Sequence, residues 1–420
     1  MIEIPAISTL LPEEHRLSNG RKLYAFPSST ELVKLDLLFE AGTAYQTLKL
    51  SAGAANRLYV TASEAMDAAQ LSEFLDYRGI IVDSNADALR CSTSFYTLHR
   101  HLDDLLPVVD DLVHRPSFPQ GELEVFKNKR RQELMALRQK SHEVARRLFY
   151  ESLFGREHPL GRYADVADVD LLTRESVKAF YDRYHRVGDM TIVVSGKVDD
   201  RLLAALDERF GHECPSEEVP HMAFSPSQSL SHSAAESHIV QPVSGAVQTT
   251  VRVGRVLPLA WESADYARFM ILTTLLGGYF GSRLMQNLRE DKGYTYGIYA
   301  RTQLYRGVIV FYITADVAGS VAKEAEQEIF HELRRLAEEP VGEEELNLVK
   351  VVMAGDFIRS VDGIFERSAR FCDMLGTDIT EQFTENLRTA LNETTAEQLR
   401  ELAQRLLNPD DMTVCLAGAV

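Results

Sequence analysis

Two stretches of this chain, 222 residues apart, carry the same helix followed by the same strand. Asp189-Met190-Thr191-Ile192-Val193-Val194-Ser195-Gly196 has the apolar run of a buried strand. Asp411-Met412-Thr413-Val414-Cys415-Leu416-Ala417-Gly418 repeats it with Asp, Met, Thr and Gly in register. The helix before each strand matches at the same offset: Thr173 with Thr395, Glu175 with Glu397, Val177 with Leu399, Arg183 with Arg405. One matched strand carries little weight. A matched helix and strand closing each half predicts two similarly folded units. The length agrees, since 420 residues exceed what one ordinary core covers.

Each half alternates strand-type and helix-type periodicity. In the first, 17–28 reads as two short strands about the turn Asn19-Gly20, and 32–40 as a strand. Helical patterns follow at 52–62 and 66–78, strands at 80–84 and 89–96, and a helix at 98–114. From 119 to 154 the chain is strongly helical and charged, and 201–210 closes the half as a helix. In the second half, strands are expected near 237–243, 246–256, 294–303 and 307–315. Helices are expected at 319–338, 343–365 and 379–391, and Thr394 with Glu397 forms a capping box for the last helix. Ser, Pro, Glu and His crowd residues 215–236, which read as a linker. The expected division is therefore 1–214, 215–236 and 237–420.

The most varied stretch is Gly277-Gly278-Tyr279-Phe280-Gly281-Ser282-Arg283-Leu284-Met285-Gln286-Asn287-Leu288-Arg289-Glu290-Asp291-Lys292-Gly293-Tyr294-Thr295-Tyr296-Gly297. The two glycines end an apolar helix, because glycine alone takes left-handed dihedrals without cost. Ser282 caps a second helix with Leu284, Met285 and Leu288 on one face, and Gly293 follows its last turn. From Tyr294 the period becomes two, which places Tyr294, Tyr296 and Ile298 on one strand face. Arg289 then ends a helix and Tyr296 begins a strand, so a tight turn can bring them to one spot. A guanidinium fork with a phenol is a plausible site for a peptide carbonyl. On residue types alone a second reading stands beside it: Arg289 pairs with a nearby acid and Tyr296 is a core aromatic.

The stretch resembles the C-terminal-half signature of the M16 (pitrilysin-like) zinc metallopeptidases: Gly-Gly, Ser-Arg-Leu, Leu-Arg, then Gly-x-x-Tyr. The resemblance implies an α+β fold of the α/β-sandwich type. Two homologous halves, each a mostly antiparallel sheet with helices, then form a clamshell. It also implies that Arg289 and Tyr296, seven residues apart as in the family, bind substrate and stabilise the tetrahedral intermediate.

The family's zinc motif, His-x-x-Glu-His on a helix of the first half, is missing. The aligned region runs Phe39-Glu40-Ala41-Gly42-Thr43 and then Ser51-Ala52-Gly53-Ala54-Ala55. Asn56 then stands at the first ligand, Tyr59 at the general base and Val60 at the second ligand. Val60 has no donor atom, and a neutral amide is a poor zinc ligand. No histidine occurs between His15 and His99, so no small slip in alignment restores the motif. Glu133 falls where the family's distal ligand would be, and Phe126 replaces its supporting Glu.

Some M16 proteins work as heterodimers in which one subunit holds zinc and the other supplies the Arg/Tyr pair. The resemblance implies that this chain is of the second kind. It would be inactive alone and a metalloendopeptidase on peptides only with a zinc-bearing partner, with no cofactor of its own. Two other readings remain: a non-catalytic scaffold or peptide-binding homologue, and an active self-associating zinc peptidase with substituted ligands. The net charge of −17 argues against nucleic acid and anionic membrane surfaces as partners. No apolar run approaches spanning length. The start Met1-Ile2-Glu3-Ile4-Pro5 lacks a basic or apolar leader pattern. The four cysteines are far apart and suit free thiols in a reducing compartment. The expectation is a cytoplasmic protein.

Overall fold

The strands of the computed structural model, which describes residues 11–185, 190–212, 221–225 and 237–420, fall into two sheets. The first contains β1 (Glu13–Arg16), β2 (Lys22–Pro27), β3 (Leu32–Phe39), β4 (Ile81–Ala86), β5 (Cys91–Leu98) and β6 (Thr191–Gly196). Their spatial order is β1-β2-β6-β3-β5-β4. The second contains β7 (His238–Pro242), β8 (Gln248–Leu257), β9 (Thr295–Tyr305), β10 (Val308–Ala318) and β11 (Thr413–Gly418), in the order β7-β11-β8-β10-β9. Five strands of the first sheet match the second one for one: β2 with β7, β6 with β11, β3 with β8, β5 with β10 and β4 with β9. In each sheet one pair is parallel, β2 with β6 and β7 with β11, and the remaining pairs are antiparallel. The fold is thus mixed α+β with two sheets of one plan.

The repeat reaches the helix caps. Thr173 and Thr395 each accept a hydrogen bond from the backbone N–H three residues on, and the side chains of Ser176 and Gln398 accept from their backbone N–H groups. This corrects the expected box at Thr394 and Glu397: the cap is Thr395 and its partner is Gln398. Asp189, most of the 215–236 linker and residues 1–5 lie outside the described residues.

Each sheet is also covered by a helix from the opposite half. The helix Ser141–Phe154 sets Phe149, Tyr150, Leu153 and Phe154 against Val308, Val310 and Cys415 of the second sheet. The helix Ile364–Thr377 sets Phe371 and Leu375 against Tyr24, Phe26, Leu38 and Val193 of the first. Phe371 packs edge-on to Tyr24 at 4.7 Å between ring centroids. Alternation along the strands explains why both faces need cover. Leu23, Ala25, Ile192 and Val194 point into one core while Tyr24, Phe26 and Val193 point the other way. The helix expected over 343–365 ends at Arg359, and a further helix not expected from the sequence, Ile364–Thr377, follows. The break falls at Gly363, whose φ of 114° suits glycine.

A buried ion network joins the halves. Arg306, between β9 and β10, donates from Nη1 and Nη2 to Glu40 at 2.9 and 3.2 Å and lies 2.9 Å from Asp378 Oδ2 through Nε. Glu40 also accepts from Arg90 Nε at 2.9 Å and from the Tyr45 hydroxyl at 3.1 Å. Burial pushes the Glu40 carboxyl up, but the bonds from Arg306 and Arg90 outweigh it and hold the pKa below the usual glutamate value. Arg306 Nη1 also reaches Met222 O, and Phe224 N donates to Arg306 O, so the 221–225 segment is fastened here.

Candidate functional site

The variable stretch begins where the helix Ala264–Gly277 ends. The glycines there serve close approach rather than left-handed dihedrals. A Cβ on Gly277 would stand 2.5 Å from Ala300 N of β9, and Gly278 has a φ of −90°. Past the break, Met285–Asp291 is a π-helix, with Lys292 N donating to Asn287 O and Tyr294 N to Leu288 O. Single π turns of this kind cluster at functional sites. As the sequence predicts, Leu284, Met285 and Leu288 are buried, and Gly293 turns the chain with a φ of 65°. Three polar ties fix the π-helix. Arg283 grips Glu345 through Nε and Nη2 at 2.8 and 2.9 Å. Asn287 donates to Glu328 and Glu332, and Lys292 pairs with Glu328 at 3.2 Å.

Arg289 and Tyr296 are turned outward from this clamped frame. The Arg289 guanidinium stacks over the exposed ring of Phe280 at 4.6 Å, and its Nε lies 3.3 Å from Glu290. Tyr296 is 90% exposed, so it is not a core aromatic, and its side chain makes no hydrogen bond, ion pair or ring contact among the described residues. The expected shared face of Tyr294, Tyr296 and Ile298 is wrong. β9 gains one residue against β10 between Thr295 and Ile298, a β-bulge. Ile298 is therefore fully buried while Tyr296 points out. Thr295 fastens the bulge: its Oγ1 donates to Asp316 O at 2.8 Å and accepts from Gly297 N at 3.1 Å.

The positions that the resemblance sets against the zinc motif are built as core. The helix Ser51–Leu58 stops before two of them. Asn56, Tyr59 and Val60 are 1%, 0% and 7% exposed. Asn56 Nδ2 donates to Asn85 O and Ser92 O at 2.8 and 3.0 Å, tying its helix to β4 and β5. Its Oδ1 lies 3.3 Å from His185 Nε2, a partner 129 residues away that no local pattern reveals. Tyr59 packs against Tyr181 with the rings tilted, centroids 5.4 Å apart, and burial holds its phenol far above the usual pKa. Glu133 is paired with Arg130 at 3.1 Å. These donors do not fit zinc: one amide is spent on backbone, one phenol is sealed and neutral, one side chain is aliphatic and the carboxylate faces a cation. Among the described residues no group of three His, Cys, Asp or Glu could hold a metal ion.

His185 carries a pH consequence. Burial lowers its pKa from 6.5 to about 3. The unfolded chain takes up this proton near 6.5 and the folded one does not until about 3, so stability rises with pH across that window. At pH 5 the penalty is about 2 kcal/mol. His185→Gln, which keeps a donor for Asn56, is expected to flatten the change in urea midpoint between pH 5 and 7 relative to wild type.

Residues 171–352 match the family described as peptidase M16 inactive domain. The matched segment contains both Arg289 and Tyr296. An uncharacterized zinc protease of Mycobacterium leprae is 28% identical over 279 residues, covering 62% of this chain and 58% of the relative. One from Bacillus subtilis is 22% identical over 368 residues, 84% of each. The chain spans less than two thirds of the length of the first curated relatives it matches. Among solved structures, the peptidase M16 inactive domain from Pseudomonas fluorescens aligns with a TM-score of 0.83 at 20% identity, covering 97% of this chain and 98% of that one. A protease from Helicobacter pylori gives 0.85 at 17% identity, covering 97% and 100%. The M16-like fold thus extends over nearly the whole chain. Among the described residues no helix is long and apolar enough to cross a membrane.

Proposed function

We propose that this chain is the Arg/Tyr-supplying subunit of a heterodimeric zinc metallopeptidase acting on peptides. The observation that carries the reading is Tyr296: a bulge fixes it outward on β9, 90% exposed, beside a π-helix that presents Arg289. A large aromatic held in water by a dedicated backbone irregularity has no packing reason to be there. The Tyr296 hydroxyl donates to the carbonyl oxygen of the scissile peptide as negative charge develops on it. Arg289 binds a neighbouring carbonyl or carboxylate of the same peptide. Zinc and the attacking water belong to the partner in this reading, because Asn56, Tyr59, Val60 and Glu133 do not fit the metal. The free thiols Cys91, Cys372 and Cys415 support a reducing, cytoplasmic setting.

One observation favours a non-catalytic scaffold instead: Asn56, Tyr59 and Val60 have full structural roles in the core. The two readings separate by experiment. The purified chain is expected to carry no stoichiometric zinc and to leave a quenched peptide library intact. Adding an M16 chain with an intact His-x-x-Glu-His motif is expected to produce chelator-sensitive cleavage above that of the partner alone. No gain on mixing would favour the scaffold. One zinc per chain, with cleavage by the chain alone, would overturn both.

A further inference from the structure

A cavity of about 870 Å³ is lined by residues of both halves. Asn56 lines it, and helices Ser51–Leu58 and Gln120–Leu137 form two walls. Five cations line it: Arg57, Lys129, Arg130, Arg146 and Arg162. Three acids do: Asp87, Glu122 and Glu133. This reverses the balance of the chain, which has 45 basic against 62 acidic residues.

The pairings sharpen the contrast. Arg130 is held by Glu133, and Arg146 by Glu143 through Nε and Nη2 at 3.1 and 2.6 Å. Asp87 is spent on the backbone N–H groups of Leu89 and Arg90 at 2.8 and 2.7 Å. Glu122 sits in the first turn of its helix, where the dipole favours it. On the cationic side, Arg162 reaches only a neutral carbonyl, Gln46 O, at 2.6 Å. Arg57 and Lys129 are exposed and pair with no carboxylate among the described residues. Three cations therefore face the cavity without an acidic partner.

The cavity is also bordered by two sheet edges. Ser84 and Ala86 belong to β4, and Gln303 and Tyr305 to β9, and these strands end their sheets. An edge strand offers unpaired backbone groups to an extended chain.

We infer that this cavity binds acidic peptide segments, with sheet-edge backbone holding the chain and Arg57, Lys129 and Arg162 taking its carboxylates. Charge-assisted bonds to carboxylate are the strong members of their class. The negative field of the rest of the chain is screened beyond about 8 Å at physiological salt, so these near contacts decide. The site is complete in this chain and needs no zinc-bearing partner, so its failure would leave the proposed function standing.

The test uses the isolated full chain and fluorescence anisotropy. The probes are a dye-labelled peptide bearing several glutamates and its glutamine- and lysine-substituted analogues. The glutamate peptide is expected to bind at least about tenfold more tightly than either analogue, with affinity falling as salt is raised. The Arg57→Ala/Lys129→Ala variant is expected to lose about tenfold for the glutamate peptide and little for the glutamine one. Both side chains are exposed, so the fold is expected to survive, which circular dichroism checks. Arg57→Glu/Lys129→Glu is expected to shift preference to the lysine peptide. Equal binding of the three peptides, no binding of any, or glutamate binding unchanged in both variants would overturn the inference.

Discussion

Tyr296→Phe is expected to lower kcat of the peptidase assembled with a zinc-bearing partner by about two to three orders of magnitude, the cost of removing one donor to a developing oxyanion. KM is expected to move little, because the hydroxyl acts in the transition state more than on bound substrate. Arg289→Ala is expected to raise KM as well as lower kcat, since a guanidinium also holds the ground-state peptide. Neither change is expected to alter folding. Tyr296 is 90% exposed, and among the described residues the Arg289 side chain is held only by the Phe280 ring and Glu290. Steady-state kinetics of the mixed complex, with melting curves of the free subunit, separate these effects. A Tyr296→Phe complex with near-wild-type kcat would remove the catalytic role.

The second large effect concerns stability. Arg306 is the central cation of the network that spans the halves, 2% exposed and shared between Glu40 and Asp378. Arg306→Ala leaves Glu40 buried with Arg90 and Tyr45 as remaining partners, and is expected to cost about 3 kcal/mol. It also releases Met222 O and so loosens the 221–225 segment. Arg306→Lys, which keeps charge but not the fork, is expected to fall between wild type and alanine. Urea midpoints measure this, and a cycle with Glu40→Gln isolates the pair. If Arg306→Ala shifts the midpoint no more than alanine at the exposed Arg201, the network does not hold the halves together.

The local grammar of the fold was readable because it depends on near neighbours. Thr173 announces a helix start through its own side chain, whereas Thr394 beside Thr395 misplaced the last cap by one residue, and Gly293 marks a turn by the conformation it alone adopts cheaply. The repeat of Met190 to Gly196 in Met412 to Gly418 carried the two-unit plan without any contact information. What the sequence hid depends on distant partners. The bulge at Tyr296 is defined against β10, so strand period alone placed that residue on the wrong face. The π-helix differs from an α-helix by one shifted bond, which side-chain spacing does not report. His185 meets Asn56 across more than a hundred residues. The helix Ile364–Thr377 was passed over because its apolar face is aimed at the other half's sheet.

That exchange of helices limits how the molecule can move. Each half keeps one element as a tenant on its twin, so the pair cannot part like two shells on a hinge without unseating Phe149 from one side and Phe371 from the other. A nick in the stretch expected as a linker, 215–236, would leave two fragments still clasped, each holding a piece the other lacks. Separate expression of either half would yield a sheet with one bare apolar face, prone to aggregate until its counterpart arrives.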